Sequence, residues 1–112
     1  MSRDYKVFLD DILSSIAKIR KFAGQTTFEQ FSVDDKTVDA VLRNLEIIGE
    51  AAKGIPPEVR EAAKTVDWKR LAGLRDVLAH QYFGINLAIV WDIVQHKLPA
   101  LELEVQRLLA TE

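Results

Sequence analysis

With 112 residues, 48% hydrophobic and 29% charged, the chain has an ordinary globular composition and too much apolar content for disorder. It has no cysteine, which excludes disulfides, thiolate zinc sites and thiol catalysis; its formal net charge of -2 excludes retention of nucleic acid by overall charge alone. No apolar run is long enough to span a bilayer, and Met1-Ser2-Arg3-Asp4-Tyr5-Lys6 leads into an amphipathic stretch rather than a signal peptide, so a cytoplasmic single domain over residues 1–112 with no membrane contact is expected.

The first helix is expected from about Asp4 to Ala23, where Tyr5, Phe8, Leu9, Ile12, Ile16 and Ile19 recur at helical spacing and Gly24 supplies the stop. Gln25 to Phe31 reads as a polar loop whose Phe28 and Phe31 fold back onto the bundle. Ser32, with Asp35 three residues on, opens the second helix as an acidic variant of the capping box. Its core stripe is Val38, Val41, Leu42, Leu45, Ile48 and Ala52, and Asp39, Arg43, Glu46, Glu50 and Lys53 line the opposite face at ion-pair spacing. A weaker strip of Ala40, Ile47 and Ala51, with Asn44 beside it, gives this helix a second neighbour, in this chain or in another copy.

Gly54-Ile55-Pro56-Pro57 ends that helix, and Pro57 starts a short one reaching about Lys64. Asp67 is the expected N-cap of a third main helix carrying Trp68, Leu71, Leu74, Val77 and Leu78, which frays near His80 to Phe83 ahead of Gly84. Asn86 caps the last helix. Its stripe from Leu87 through Val90, Trp91, Val94, Leu98, Leu101 and Val105 to Leu108 stays in phase across Pro99, so Pro99 kinks one bent helix rather than separating two. Strand-like alternation is missing throughout, and the expected fold is all-α, an antiparallel bundle of four to five helices.

Most common chemistries lack their residues. The sequence has no Gly-rich phosphate loop and no Glu-x-x-His, and His80 and His96 fall on different helices, so neither a metal nor a cofactor is expected. Trp68 and Trp91 read as core anchors, His96 as a surface residue, and Glu46 with Glu50 as surface ion pairing. A local basic excess, Lys53, Arg60, Lys64, Lys69, Arg70 and Arg75, is either a solvated face or a polyanion contact.

The third main helix holds the best candidate. At 100° per residue, Leu71, Leu74 and Leu78 mark the buried face, Arg75 lies at its edge, Asp76 and His80 lie on the polar side, and Ala72 and Ala79 fill the strip between. Arginine presents a fixed fork of donors to phosphate, and histidine moves a proton near neutral pH. Without a metal the pair could cleave RNA: a base takes the 2′-hydroxyl proton, the oxygen attacks the adjacent phosphate, and the guanidinium stabilises the phosphorane. An arginine and a histidine five residues apart on a helix also occur by chance, and spacing alone leaves both readings open.

Arg75-Asp76-Val77-Leu78-Ala79-His80-Gln81-Tyr82 resembles the Arg-x4-His-x-Tyr motif of HepT-like toxins of the HEPN superfamily. The resemblance extends to Arg43-Asn44-Leu45-Glu46-Ile47-Ile48-Gly49-Glu50-Ala51-Ala52, to Asp67-Trp68, and to Trp91 with Leu98-Pro99, and so spans most of the chain. It implies a HEPN-like helical domain that forms a homodimer with a shared cleft, and a metal-independent endoribonuclease toxin of a type II toxin–antitoxin system. It further implies catalytic roles for Arg75 and His80, a supporting role for Asp76, and substrate contact by Tyr82. The implied partner is an MNT-type nucleotidyltransferase antitoxin that transfers AMP to Tyr82 and so blocks the RNA site. The alternative is a non-catalytic HEPN subunit that binds a nucleotide or the nucleotidyltransferase.

Overall fold

The computed structural model describes residues 4–80 and 85–111, and all of their side chains except those of residues 75–77, 79 and 80. Its elements in chain order are α1 (Tyr5–Ala23), α2 (Phe28–Ser32), α3 (Asp35–Lys53), α4 (Pro57–Glu61), α5 (Trp68–His80), α6 (Leu87–Asp92), a π-helical turn (Ile93–Lys97) and α7 (Leu98–Ala110). The described residues contain no strand and form an all-α bundle.

α1 begins where Asp4 accepts the Lys6 backbone N–H at 3.0 Å, so Asp4 is the cap rather than the first helical residue. The expected polar loop after α1 contains α2. Thr27 and Gln30 form a reciprocal capping box, which starts this short helix. Ser32 does not open the next helix: its hydroxyl donates back to the Glu29 carbonyl at the end of α2. Asp34 caps α3 instead, accepting the Thr37 backbone N–H at 3.2 Å and its hydroxyl at 2.7 Å. A carboxylate that takes two donors is the stronger acceptor, and its Thr37 bonds pull the Asp34 carboxyl below the usual carboxylate range.

α1 and α3 are antiparallel, with the Phe8 ring near the start of α1 against Gly54 at the end of α3. Their shared core holds Leu9, Ile12, Ile16 and Ile19 from α1 and Val41, Leu45, Ile48 and Ala52 from α3, all at most 1% exposed. Asn44 is also buried on α3; its amide donates to the Ala40 carbonyl at 2.8 Å, and its Oδ1 has no hydrogen-bond partner among the described residues. Arg60 of α4 donates to the Ile55 and Ala52 carbonyls at 2.9 and 3.0 Å, and so satisfies acceptors at the C-terminal end of α3.

Asn86 caps α6 as expected, accepting the Ala88 and Ile89 N–H groups. Residues 87–110 are helical without a break, and the Leu98 N–H reaches back five residues to the Ile93 carbonyl. A π turn just before Pro99 thus accommodates the missing proline donor, and the burial stripe continues through Leu98, Leu101, Val105 and Leu108. Phe28 and Phe31 do fold back, onto Trp91, with ring centroids 6.1 and 5.2 Å away. Trp68 is buried, Trp91 half-buried and His96 exposed. A two-point ion pair between Arg20 and Glu102, 3.1 and 2.7 Å, joins the end of α1 to the beginning of α7.

Candidate active site

The candidate motif falls on α5, which two anchors set in place. Asp67 accepts the Arg70 backbone N–H at 3.1 Å and caps the helix as expected. The Trp68 indole N–H donates to the Ala63 carbonyl at 3.2 Å, which holds the buried ring at the helix start. The connection from α4 is in turn tied to α7. Thr65 donates to Glu104 at 2.7 Å, and Arg107 donates to both Glu104 and the Ala62 carbonyl, at 2.7 and 2.6 Å. The Thr65 and Arg107 bonds hold the Glu104 carboxyl below its usual range.

From these anchors α5 runs antiparallel to α3, with Leu78 near its end beside Val38 and Leu42 near the beginning of α3. Leu71, Leu74 and Leu78 all pack into the core, the face that the rotation argument assigns to burial. Arg75, Asp76 and His80 therefore occupy the last two turns of a helix fixed at its start and along its apolar face. Ideal geometry separates Arg75 from His80 by about 7.5 Å along the axis and about 140° around it, and Asp76 from His80 by about 40°. The side chains of Arg75, Asp76 and His80, and Tyr82 entirely, lie outside the described residues.

A groove of about 520 Å³ opens beside this end of α5. Leu42 and Val38 of α3, Leu78, Ile85 and Leu87 contribute its apolar lining; Asp39, Arg43 and Glu46 contribute its charges. A second groove of about 320 Å³ lies on the other flank of α3, where Asp11, Glu46 and Glu50 meet Arg43 as its one basic lining residue. The Arg43–Glu46 contact, at 3.8 Å on an exposed ridge between the two grooves, is a weak ion pair.

The basic excess seen in the sequence divides on the structure. Arg60 is spent on helix carbonyls, Lys64 pairs with Glu61 at 3.6 Å, and Lys53 is engaged elsewhere. Lys69 and Arg70 are exposed and make no ion pair among the described residues. Gly73, one turn further along α5, is a position that sequence reasoning does not single out; a Cβ built there meets no atom of the described residues within 4 Å. The available signal was a lone glycine inside a helical pattern. Among the described residues no cluster of three or more His, Asp or Glu is arranged to hold a metal ion, and no described helix is long and apolar enough to cross a membrane.

The HepT-like ribonuclease family model matches residues 12–108, nearly the whole bundle and all of the motif helix. The chain belongs to the HepT-like ribonuclease family. Among its relatives, a candidate RNase of Methanocaldococcus jannaschii is 47% identical over 97 residues, covering 87% of this chain and 80% of that protein. The protein named Probable ribonuclease HepT from Thermococcus cleftensis is 39% identical over 108 residues, covering 96% of this chain and 98% of its own. A candidate RNase of Caldanaerobacter subterraneus subsp. tengcongensis is 40% identical over 105 residues, covering 94% of each chain. No solved structure shows significant similarity to the chain. The HepT-like family and the α-helical HEPN-like fold, both expected from the sequence, are thereby established.

Proposed function

We propose that the chain, acting as one HEPN-like domain, is a metal-independent endoribonuclease toxin of a type II toxin–antitoxin system in the cytoplasm. The observation that carries this reading is family membership across residues 12–108, which contain Arg75-x4-His80-x-Tyr82 on and just after a firmly anchored helix. His80 takes the proton of an RNA 2′-hydroxyl. The oxygen attacks the adjacent phosphorus, the bond to the 5′-oxygen breaks, and that oxygen is protonated as it leaves. Arg75 stabilises the charge on the pentavalent phosphorane, and Asp76, one turn before His80, orients the imidazole.

On an ideal helix positions 75 and 80 lie about 140° apart, so one copy does not offer both residues to one phosphate easily. A two-fold axis beside Ala72 and Ala79 would pair two copies of α5 and bring two Arg/His sets to one cleft. Tyr82 contacts substrate and is the switch. Its phenolic oxygen attacks the α-phosphorus of ATP in the nucleotidyltransferase antitoxin's site, pyrophosphate leaves, and the added phosphate repels RNA.

The test is cleavage of several RNAs in EDTA by unmodified protein, beside His80→Ala and Arg75→Ala. Each substitution is expected to lower the rate by at least a hundred-fold, in the range typical of removing a general base or an oxyanion donor. Equal cleavage by the parent and His80→Ala would overturn the assignment. A verified dimer that cleaves nothing would support the non-catalytic subunit instead. Intact mass after co-expression with the nucleotidyltransferase tests the switch: a nucleotide mass gain that persists in Tyr82→Phe removes Tyr82 from that role.

A further inference from the structure

We propose that Lys69, Arg70 and Gly73 on the outward face of α5 form a subsite for the ribose–phosphate backbone of single-stranded RNA, leading the strand to the cleavage centre. The proposal rests on the ribonuclease reading and adds to it where the substrate lies. Lys69 and Arg70 are both exposed and make no ion pair among the described residues, unlike Arg60, Lys64 and Arg107, whose side chains are committed within the chain. They are neighbours in sequence, about 100° apart around the axis, and Gly73 sits between their directions one turn on.

Gly73 is the second half of the case. Glycine is among the poorest helix formers, and a glycine inside α5 weakens the helix that carries the motif. Packing among the described residues does not require it, because an added Cβ would meet none of their atoms within 4 Å. A missing side chain there serves something that approaches from outside. Lys69, Gly73, Asp76 and His80 fall within about 60° of one another around α5, and Lys69 precedes His80 by about 16 Å along the axis. A strand held at Lys69 and Arg70 can thus cross the bare backbone at Gly73 and reach His80 along one helix face. A second protein copy is the other candidate for this approach. Lys69, Arg70 and Gly73 offer it no apolar side chain, whereas protein interfaces are depleted of lysine and charge at their centres. Two exposed cations without an ion pair among the described residues, beside a half-buried glycine, suit a polyanion.

The test measures binding of a fluorescein-labelled single-stranded oligouridine to the His80→Ala protein over a salt series. Lys69→Gln and Arg70→Gln are each expected to weaken binding roughly five-fold at low salt, and each lost phosphate contact to lower the salt slope by about 0.7. Lys18→Gln, on the exposed side of α1, is expected to change neither. Gly73→Leu introduces a good helix former where a Cβ meets no described atom within 4 Å, so its melting temperature is expected to equal or exceed the parent's while RNA binding falls. Parent protein that binds and cleaves RNA, with Lys69→Gln/Arg70→Gln matching it in affinity and slope, would overturn the subsite and leave the ribonuclease reading intact. Parent protein that neither binds nor cleaves RNA would refute the ribonuclease reading, and the subsite with it. Gly73→Leu that binds RNA normally but dissociates a dimer in sedimentation would show this face to be a contact between copies, and the RNA subsite would be wrong.

Discussion

Gly54→Ala should destabilise the bundle although a helix-terminal glycine usually has another explanation. The common reason for glycine after a helix is a left-handed backbone. Gly54 has φ -84° and ψ -3°, a conformation open to any residue, so alanine incurs no backbone strain there and would even gain about 0.4–1 kcal/mol by restricting the unfolded chain. The obstacle is the Phe8 ring: a Cβ at Gly54 would stand 2.6 Å from Cδ2 and Cε2 and 2.8 Å from Cγ. Because Cγ is at the ring's root, spinning the ring does not clear the clash, and α1 must shift against α3 or Phe8 must leave its rotamer. Overpacking of this kind costs about 1–3 kcal/mol, and the net loss after the entropic gain is on the order of 1–2 kcal/mol. At about 4 degrees per kcal/mol, the melting temperature should fall by roughly 4–8 degrees. A double-mutant cycle by urea unfolding isolates the cause. In a Phe8→Ala background Gly54→Ala should become neutral or stabilising, with a coupling of at least about 1 kcal/mol. Gly54→Ala as stable as the parent when Phe8 is present would refute the close-approach argument.

Two further stability predictions come from polar groups away from the motif. Asn44→Leu replaces a buried amide whose Oδ1 lacks a partner among the described residues, and should leave stability unchanged or raise it by up to about 2 kcal/mol in chemical denaturation; a loss above about 1 kcal/mol would show that Oδ1 has a partner in solution. Glu102 is held below its usual range first by the Arg20 hydrogen bond and then by its charge, with partial burial opposing. Its folded-state value lies under its unfolded one, so its stabilisation is present above the ordinary glutamate range and disappears as pH falls through the folded value. Glu102→Gln should melt lower than the parent at neutral pH, with the gap closing in acid; a gap independent of pH would contradict this linkage.

The sequence made the long elements legible because burial repeats along them. The stripes on α1, α3 and the 87–110 segment are found in the core, and Asp67 and Asn86 cap the helices assigned to them. The start of α3 departs from the spacing rule that Ser32 and Asp35 satisfy because two other local bonds form: Asp34 accepts the Thr37 N–H, and the Ser32 hydroxyl donates three residues back to the Glu29 carbonyl. A spacing rule alone does not rank these competing caps. α2 was missed for a related reason: Thr27 and Gln30 do fit a capping box, but the helix is five residues long and has no stripe of its own. Pro99 was legible as a disturbance within a continuous helix, and the π turn supplies the register change that a periodicity count averages over. At the candidate site, residue types and rotation placed Arg75, Asp76 and His80 on α5 and identified its buried leucines. They could not rank the cations, because the engagement of Arg60 by the Ala52 and Ile55 carbonyls, at and just after the end of α3, arises from tertiary packing. Gly73 becomes informative only once the space above it is known to be open.

The remaining physical difficulty is how a chain of net charge -2 can act on RNA. Charge here is distributed unevenly rather than merely balanced. The groove between α1 and α3 is lined by Asp11, Glu46 and Glu50 with one arginine, and so offers a phosphate chain little positive charge among the described residues. On α5 the arrangement is opposite: Asp67 is occupied as a helix cap, while Lys69 and Arg70 remain exposed and unpaired among the described residues. Screening confines each region's influence to about 8–10 Å at ordinary ionic strength, so a polyanion responds to the nearby face more than to the net charge. The more acidic groove beside α1 and the exposed Lys69 and Arg70 on α5 would then make the α5 side the more favourable approach for RNA. Overall charge is therefore a poor guide to this substrate, and the two exposed cations on the motif helix, without an ion pair among the described residues, are the more informative quantity.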